Sequence, residues 1–323
     1  MDWLLLIAGL VVLLAGGEAL VRGATALARS LGVSSMVIGM TVLAFGTSAP
    51  ELAVNVAAAI GDRSAITFGN VMGSNIANIG LILGFTSIFQ TLRIHRTIVT
   101  REIPIMLGAT ALAILLGSDW MLGNTPDRFG RIDGVVLLIA FVAFLYVTVR
   151  NALKARRDDR FMQEAEEEQE ESVALKPVAT GSLTLAGLTA VLLGSHWTVE
   201  GATRVAQALG MSEALIGLTI VAIGTSLPEL TTSLFAALKG HADLAIGNIV
   251  GSNVFNLLFV LGVSATIRAV PVPDPRGRVD LLALALFSVI LLPFGITQKR
   301  LRRAEGAILL LSYIAFMTWR TFF

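Results

Sequence analysis

Two short stretches place chemistry where an apolar chain rarely carries it. FGTSAPELAVN, residues 45–55, sets Glu51 directly behind Pro50, and IGTSLPELTTS, residues 223–233, sets Glu229 directly behind Pro228. Proline lacks an N–H and its ring clashes with the carbonyl one turn earlier. Pro50 should therefore break a helix against Gly46, and Pro228 should do the same against Gly224. At membrane depth, carbonyls freed by a break are tolerated where they line a cavity or find a partner. The end of the first half-helix adds the negative end of its dipole. Carbonyl oxygens, a negative dipole and a carboxylate together suit a hard cation.

The charge balance agrees. An ionised acid at mid-membrane costs roughly 2.5–3.5 kcal/mol even on the mildest scale. No Lys or Arg lies near Glu51 or Glu229 in the apolar segments that carry them, so the counter-charge is expected from outside the protein. Downstream of each glutamate runs a second polar motif, GNVMGSNIAN and GNIVGSNVFN. Ser74 and Asn78 share a helix face by their i, i+4 spacing, as do Ser252 and Asn256. Asn70, Asn75, Asn248 and Asn253 add amides, and Gly69, Gly73, Gly247 and Gly251 form GxxxG pairs expected to let helices approach closely. Glutamates, hydroxyls, amide oxygens and backbone carbonyls suit calcium or sodium. Magnesium prefers stricter geometry with retained waters, and zinc prefers His or Cys, of which this chain has no Cys. The competing reading is that Gly, Ser and Asn only join helices while both glutamates stay protonated. Acids at both repeat-related positions argue against it.

The elements that must position these residues are membrane helices. The chain has 323 residues, 55% hydrophobic and 15% charged, with a mean hydropathy of +0.78. Its apolar residues come in blocks long enough to span a bilayer, without the alternation a membrane barrel needs. The expected fold is an all-α polytopic membrane protein of ten transmembrane helices. They lie near 3–28, 36–60, 65–90, 99–117, 133–150, 180–207, 214–238, 243–267, 279–296 and 304–321, with the second and seventh broken. The N-terminal segment lacks the basic start of a signal peptide and carries Asp2, so it reads as the first span.

The chain divides into a first five-helix repeat (1–150), a charged linker (151–178) and a second five-helix repeat (179–323). A shift of 178 residues superposes GTSAPEL on GTSLPEL and GNVMGSNIANI on GNIVGSNVFNL, with 27 identities over the 62 positions of 23–84. An odd number of spans per copy makes the second copy enter the membrane from the opposite side, an inverted repeat with its site expected where the copies meet. The segments holding Arg29, Arg93, Arg96, Arg101, the linker, Lys239, Lys299, Arg300, Arg302 and Arg303 carry nearly twice the Lys and Arg of the opposite set. They are placed in the cytoplasm, in a cytoplasmic (inner) membrane with both termini outside. The acidic run Glu164 to Glu171 in the linker lacks calcium-loop spacing and reads as a solvated segment.

GTSAPE with GSNIAN, and GTSLPE with GSNVFN, resemble the two α-repeats of the cation/calcium exchangers, most nearly the prokaryotic sodium/calcium antiporters. The resemblance covers essentially the whole chain. It implies that Glu51 and Glu229 bind calcium together with the carbonyls of Thr47 and Thr225. It implies flanking sodium sites, one from Ala44, Ser48, Ser226 and Ser252, the other from Ala222, Ser226, Ser48 and Ser74. Asn78 and Asn256 would complete the central position, and spans one and six would slide past the rest to alternate access. Potassium-coupled relatives carry an acid where this chain has Asn256, so potassium dependence is not expected. With two formal negative charges in the site, a family stoichiometry of three sodium ions to one calcium would be electrogenic.

Other features have plainer readings. Glu18 with Arg22, and His196 with Glu200 and Arg204, are spaced to pair along a helix. Trp3 and Trp319 sit near span ends as interfacial anchors. Glu102 and Pro104 read as helix-start residues of span four. No nucleotide loop or soluble catalytic domain is present, so ATP-driven transport is not expected, nor is a nucleic-acid or obligate protein partner, nor any cofactor beyond the transported ions. The expected function is secondary antiport of sodium against calcium, extruding calcium. The rivals are proton/calcium exchange, which would need no hydroxyl shell, a membrane enzyme with the glutamates as acid and base, and a channel.

Overall fold

The computed structural model describes residues 2–119, 127–157, 177–211 and 224–322. In the first half of the chain α1 runs from Asp2–Leu31. The next helix is in pieces: α2 (Ser35–Ile38), a π-helical stretch (Gly39–Leu43), α3 (Ala44–Thr47) and α4 (Ala49–Ile60). Next come α5 (Ala65–Ala77), a π stretch (Asn78–Leu83) and α6 (Gly84–Phe89), then strand β1 (Leu92–Arg93), a π stretch (Ile98–Glu102) and α7 (Ile103–Leu116). Strand β2 (Arg128–Phe129) leads into α8 (Arg131–Arg157). The second half holds α9 (Pro177–Ala208), α10 (Leu227–Leu238), α11 (Ala242–Val254), a π stretch (Phe255–Val260) and α12 (Leu261–Ile267). Strand β3 (Val270–Pro271), α13 (Arg276–Val289), α14 (Leu291–Gln298), strand β4 (Arg300–Leu301) and α15 (Arg303–Phe322) complete it.

Among the described residues seven helices are long and apolar enough to cross a membrane, and eight if the bent pair Ser35–Thr47 and Ala49–Ile60 counts as one span. Ten were expected. The first part of the seventh, with Ala222, lies outside the described residues, and α15 carries Arg303, Glu305 and Arg320 within its 20 residues. Two short ladders, absent from the sequence reading, sit in connections between helices: β1 pairs with β4 and β2 with β3, both antiparallel.

The chain forms two compact units. One comprises Met1–Thr47 and Thr148–Asn248, the other Ser48–Val147 and Ile249–Phe323. Each draws on both halves of the sequence, and α8 and α11 run from one into the other.

In the first unit α1 and α9 pack along their length, and glycine sets how closely. Gly9, Gly16 and Gly23 recur every seven residues on α1, and Gly187, Gly194 and Gly201 recur on α9 at the same positions shifted by 178. Gly9 lies against Thr198, Gly16 against Val191, Gly23 against Thr184, Gly187 against Leu20, Gly194 against Leu13 and Gly201 against Leu6. The paired numbers always sum to 207, which defines one antiparallel register over the whole contact. A Cβ added at any of the six would lie under 3.0 Å from partner backbone. In lipid, where apolar side chains gain nothing by leaving the tails, such backbone proximity is a main source of helix association.

The second unit contains the most deeply buried helices. In Ala242–Ile267 94% of the apolar window is buried, and in Ile66–Phe89 78%, against 33% for Asp2–Leu31. α5 packs on α4, α12 and α13, while α15 covers α6 and the π stretch before it. Gly80 and Gly84 admit Tyr313 and the backbone of Leu310. Four of the left-handed residues also follow the repeat: Gly32 and Gly210 (φ 63° and 82°) lie 178 apart, as do Asp62 and Gly240 (φ 61° and 84°). The connections turn at equivalent positions in the two copies.

Replacing Gly194 by Val should push α1 from α9, because the clash is with the backbone at Leu13. We expect a destabilisation of about 1–3 kcal/mol or failure to fold. Gly108→Ala, where no atom lies within 4 Å of the added Cβ, should be neutral or slightly stabilising. Thermal unfolding of both variants in detergent checks this, and equal melting temperatures would show the stripe to be passive.

Candidate ion-binding site

Each helix break falls where the proline places it. α3 ends at Thr47, Ser48 is non-helical, and α4 begins at Ala49 with Pro50 in its first turn and a 44° bend at the join. Ser226 takes nearly the same conformation as Ser48 (φ −93°, ψ 5° against φ −85°, ψ 7°), and α10 begins at Leu227 with Pro228 in its first turn. Both serine carbonyls accept the first helical hydrogen bond, from Leu52 and Leu230, at 3.1 and 3.0 Å. Proline is suited to the first turn, where an N–H would have no helical acceptor. The carbonyl that Pro228 displaces, that of Gly224, accepts a hydrogen bond from the Ser195 hydroxyl of α9 at 3.1 Å.

Glu51 and Glu229 occupy these first turns, each 1% exposed. In the second unit Ser48, Glu51, Ser74, Asn78, Ser252 and Asn256 are all buried. Their elements meet, since α4 packs on α5 and on the π stretch that contains Asn256. Asn55, one turn after Glu51, donates to the Glu51 carbonyl and to Asn70 Oδ1, both at 2.7 Å. Asn78 Nδ2 donates to Asn253 Oδ1 at 2.9 Å, which ties α5 to α11. Among the described residues no hydrogen bond reaches Ser252 Oγ, Asn78 Oδ1 or Asn256 Oδ1, all of them buried. A buried oxygen without a donor is costly, and a cation is one way to satisfy it.

The first unit holds the repeat-related counterparts. Ala44, Thr47, Ser226 and Glu229 are buried and Thr225 is half-buried, while Ala222 lies outside the described residues. α3 packs on α9 and α10. The Thr47 hydroxyl lies 3.0 Å from the Leu43 carbonyl and 3.4 Å from Asn248 Oδ1. Asn248 Nδ2 donates to Ser233 Oγ at 3.1 Å, the counterpart, 178 residues on, of the Asn55–Asn70 bond.

Several readings change. Asn55 and Ser233 were not singled out, although each lies one turn past its glutamate. Gly247 does permit close approach, to Met36, and Gly39 meets Leu244 and Asn248 in the same way. Gly69 and Gly73, by contrast, have no atom within 4 Å of an added Cβ and do not act as a contact stripe. Glu102 stands at the N-cap of α7 with Pro104 in its first turn, as expected, but a π stretch from Ile98 precedes it; the side chain is 1% exposed, with Arg101 Nε donating to its Oε1 at 2.5 Å. Its counterpart Asp280 takes a double hydrogen bond from Arg320, at 2.8 and 3.1 Å. Glu18 pairs with Arg22 as expected, at 2.7 Å, and also with Lys239 at 2.9 Å. His196 lies 3.7 Å from Glu200, which takes Arg204 at 2.5 Å. No group of three or more metal-binding side chains of the His, Cys, Asp and Glu types occurs among the described residues.

Asn253→Leu removes the acceptor of Asn78 and should cost about 1–3 kcal/mol. A melting temperature equal to that of the unmodified protein would show that Asn78 does not depend on this bond.

The family described as "Sodium/calcium exchanger protein" matches residues 1–150 and 181–322. The chain is 32% identical to the sodium/calcium exchanger MaX1 of Methanosarcina acetivorans, over 98% of this chain and 97% of that protein. It is 37% identical to the inner membrane protein YrbG of Escherichia coli K12, over 89% of this chain and 85% of YrbG. The structure of the sodium-calcium exchanger NCX_Mj soaked with zero Na+ and Ca2+ superposes with a TM-score of 0.84 at 32% identity, covering 98% of each chain. With a polytopic helical fold, a buried glutamate in the proline-bearing first turn of each of two helices, and this similarity along its whole length, the chain belongs to the sodium/calcium exchanger family of membrane transporters, not to an enzyme family.

Proposed function

We propose that the protein exchanges sodium for calcium across the cytoplasmic membrane by alternating access. The observation that carries this is the buried oxygen set. Glu51 and Glu229 sit in the first turns of proline-broken helices, and Ser252, Asn78 and Asn256 offer buried oxygens that no described donor reaches. Glu51 and Glu229, with the carbonyls of Thr47 and Thr225, hold calcium. Ala44, Ala222, Ser48, Ser226, Ser74 and Ser252 supply the flanking sodium positions, and Asn78 and Asn256 close the central one. The names of MaX1 and NCX_Mj support both ions as cargo.

The architecture that goes with this reading is ten spans in two inverted repeats, residues 1–150 and 179–323, around the linker 151–178. The excess of Lys and Arg places the linker inside and both termini outside. Three sodium ions entering for each calcium leaving would carry one net positive charge inward, so the cycle responds to voltage and extrudes calcium down the sodium gradient. Proton/calcium exchange is the alternative. The hydroxyls favour sodium, since a proton needs no coordination shell.

Calcium uptake by purified protein in sodium-loaded liposomes tests this. Uptake should require an outward sodium gradient and change with a potassium-clamped voltage. Uptake driven by a proton gradient alone would replace sodium with protons and return the hydroxyls to helix packing. Glu51→Gln and Glu229→Gln should each abolish exchange and leave the protein folded; normal exchange by either variant would remove that glutamate from the site.

A further inference from the structure

The short ladder β1–β4 carries an arrangement that helix packing and ion exchange leave unexplained. Its register sets Leu92 opposite Leu301 and Arg93 opposite Arg300, and the ladder continues with Ile94 N–H donating to the Lys299 carbonyl at 2.8 Å. The leucine pair is buried, at 0% and 1% exposure, while both arginines are exposed. Residues directly opposite on antiparallel strands bring like charges together, which is unfavourable. Around this pair lie Arg96, Lys299, Arg302 and Arg303, also exposed. Segments 90–97 and 299–304 contain no acidic residue. The nearest acids in sequence are engaged elsewhere: Glu102 with Arg101, and Glu305 with the backbone N–H of Arg302 at 2.6 Å. Among the described residues Arg93, Arg96, Lys299, Arg300 and Arg303 form no ion pair. Lys299 itself holds a left-handed backbone (φ 51°), a conformation that glycine adopts at less cost.

The matching ladder at the other end of the same unit serves as an internal control. There β2–β3 sets Arg128 opposite Pro271, not opposite another cation, and two neighbouring arginines are matched by acids: Arg268 pairs with Asp62, and Arg278 with Asp127 and Asp274. The general excess of Lys and Arg on one side of a membrane protein accounts for the number of cations at the β1–β4 end. It does not account for two arginines being fixed opposite each other on paired strands. An anion between them does, because it turns the repulsion into a double contact. β1 follows the helix ending at Phe89 and β4 follows the helix carrying Ile296, apolar side chains that are 51% and 65% exposed. A charged pair flanked by exposed apolar side chains matches a lipid, with its headgroup on the arginines and its acyl chains along the helices.

We propose that the Arg93–Arg300 ladder is a binding site for the phosphate headgroup of an anionic phospholipid. It is separate from the oxygen set that binds the transported ions. The site joins the start of span four to the start of α15, so an occupied site holds those connections together.

The test uses full-length protein in nanodiscs of phosphatidylcholine, with and without phosphatidylglycerol, and native mass spectrometry of the lipids that stay bound. Phosphatidylglycerol should be retained and should raise the melting temperature. R93Q/R300Q should weaken retention about 30-fold, taking the roughly tenfold-or-less contribution usual for each basic residue at a lipid surface. R128Q, on the opposite ladder, should retain the lipid. R96Q/R303Q, which spares the paired strands, should weaken it less than R93Q/R300Q. Melting in pure phosphatidylcholine reports whether each variant folds. Equal retention by R93Q/R300Q and the unmodified protein would overturn the proposal. So would inorganic phosphate reproducing the stabilisation, which would make this a free-anion site. Lipid retention that appears only after Glu164 to Glu171 are replaced by Gln would assign the arginines to the acidic linker and overturn it as well. Sodium-driven calcium uptake tests the transport reading separately.

Discussion

The dominant constraint is the burial of two carboxylates, Glu51 and Glu229, in helices that otherwise shed charge. Ionised, each costs several kcal/mol unless something positive approaches. No Lys or Arg is close in sequence to supply that charge. In the proposed site, serine hydroxyls, amide oxygens and backbone carbonyls would join the carboxylates as acceptors, and a cation would complete the set. That reading gives a reason for a proline in the first turn of each glutamate's helix.

The breaks are themselves economical. The helix is left for one residue at Ser48 and for two at Thr225 and Ser226, and each serine carbonyl at once begins the next helix. The displaced Gly224 carbonyl is taken by Ser195 of a neighbouring helix. Below the glutamates the asparagines do two tasks with one side chain. Asn78 and Asn253 bind helices together through Nδ2 and Oδ1, which leaves Asn78 Oδ1 directed elsewhere. The π-helical stretches that begin at Asn78 and Phe255 widen the turn at these positions. Such bulges recur at functional sites in helices.

Much of this could be read from the sequence because proline, glutamate and asparagine carry their meaning locally. A proline disrupts the carbonyl four residues earlier wherever it stands, and an acid in an apolar run needs a partner in any fold. The helix breaks and the glutamate pair follow from that. Features that depend on which helices meet were harder to read. Gly69 and Gly247 occupy the same place in the two repeats, yet one faces open space and the other packs on Met36. The glycines of α1 and α9 were passed over because a seven-residue spacing gives no GxxxG signature. Glu102 and Pro104 do start the α-helix, but the π turn that precedes them from Ile98, and the burial of the acid, depend on packing and were not legible. The two ladders are two residues long, too short for a period to register.

The glycine stripe of α1 and α9 works as a ratchet. Its teeth are spaced seven residues apart, about 10.5 Å along a helix. A slip of one or two residues would drive Leu13, Leu20 and Val191 into backbone, and the next register that offers glycine again is a full tooth away. Small relative sliding of the two helices is therefore excluded, and any displacement along their axis carries both as a single rod.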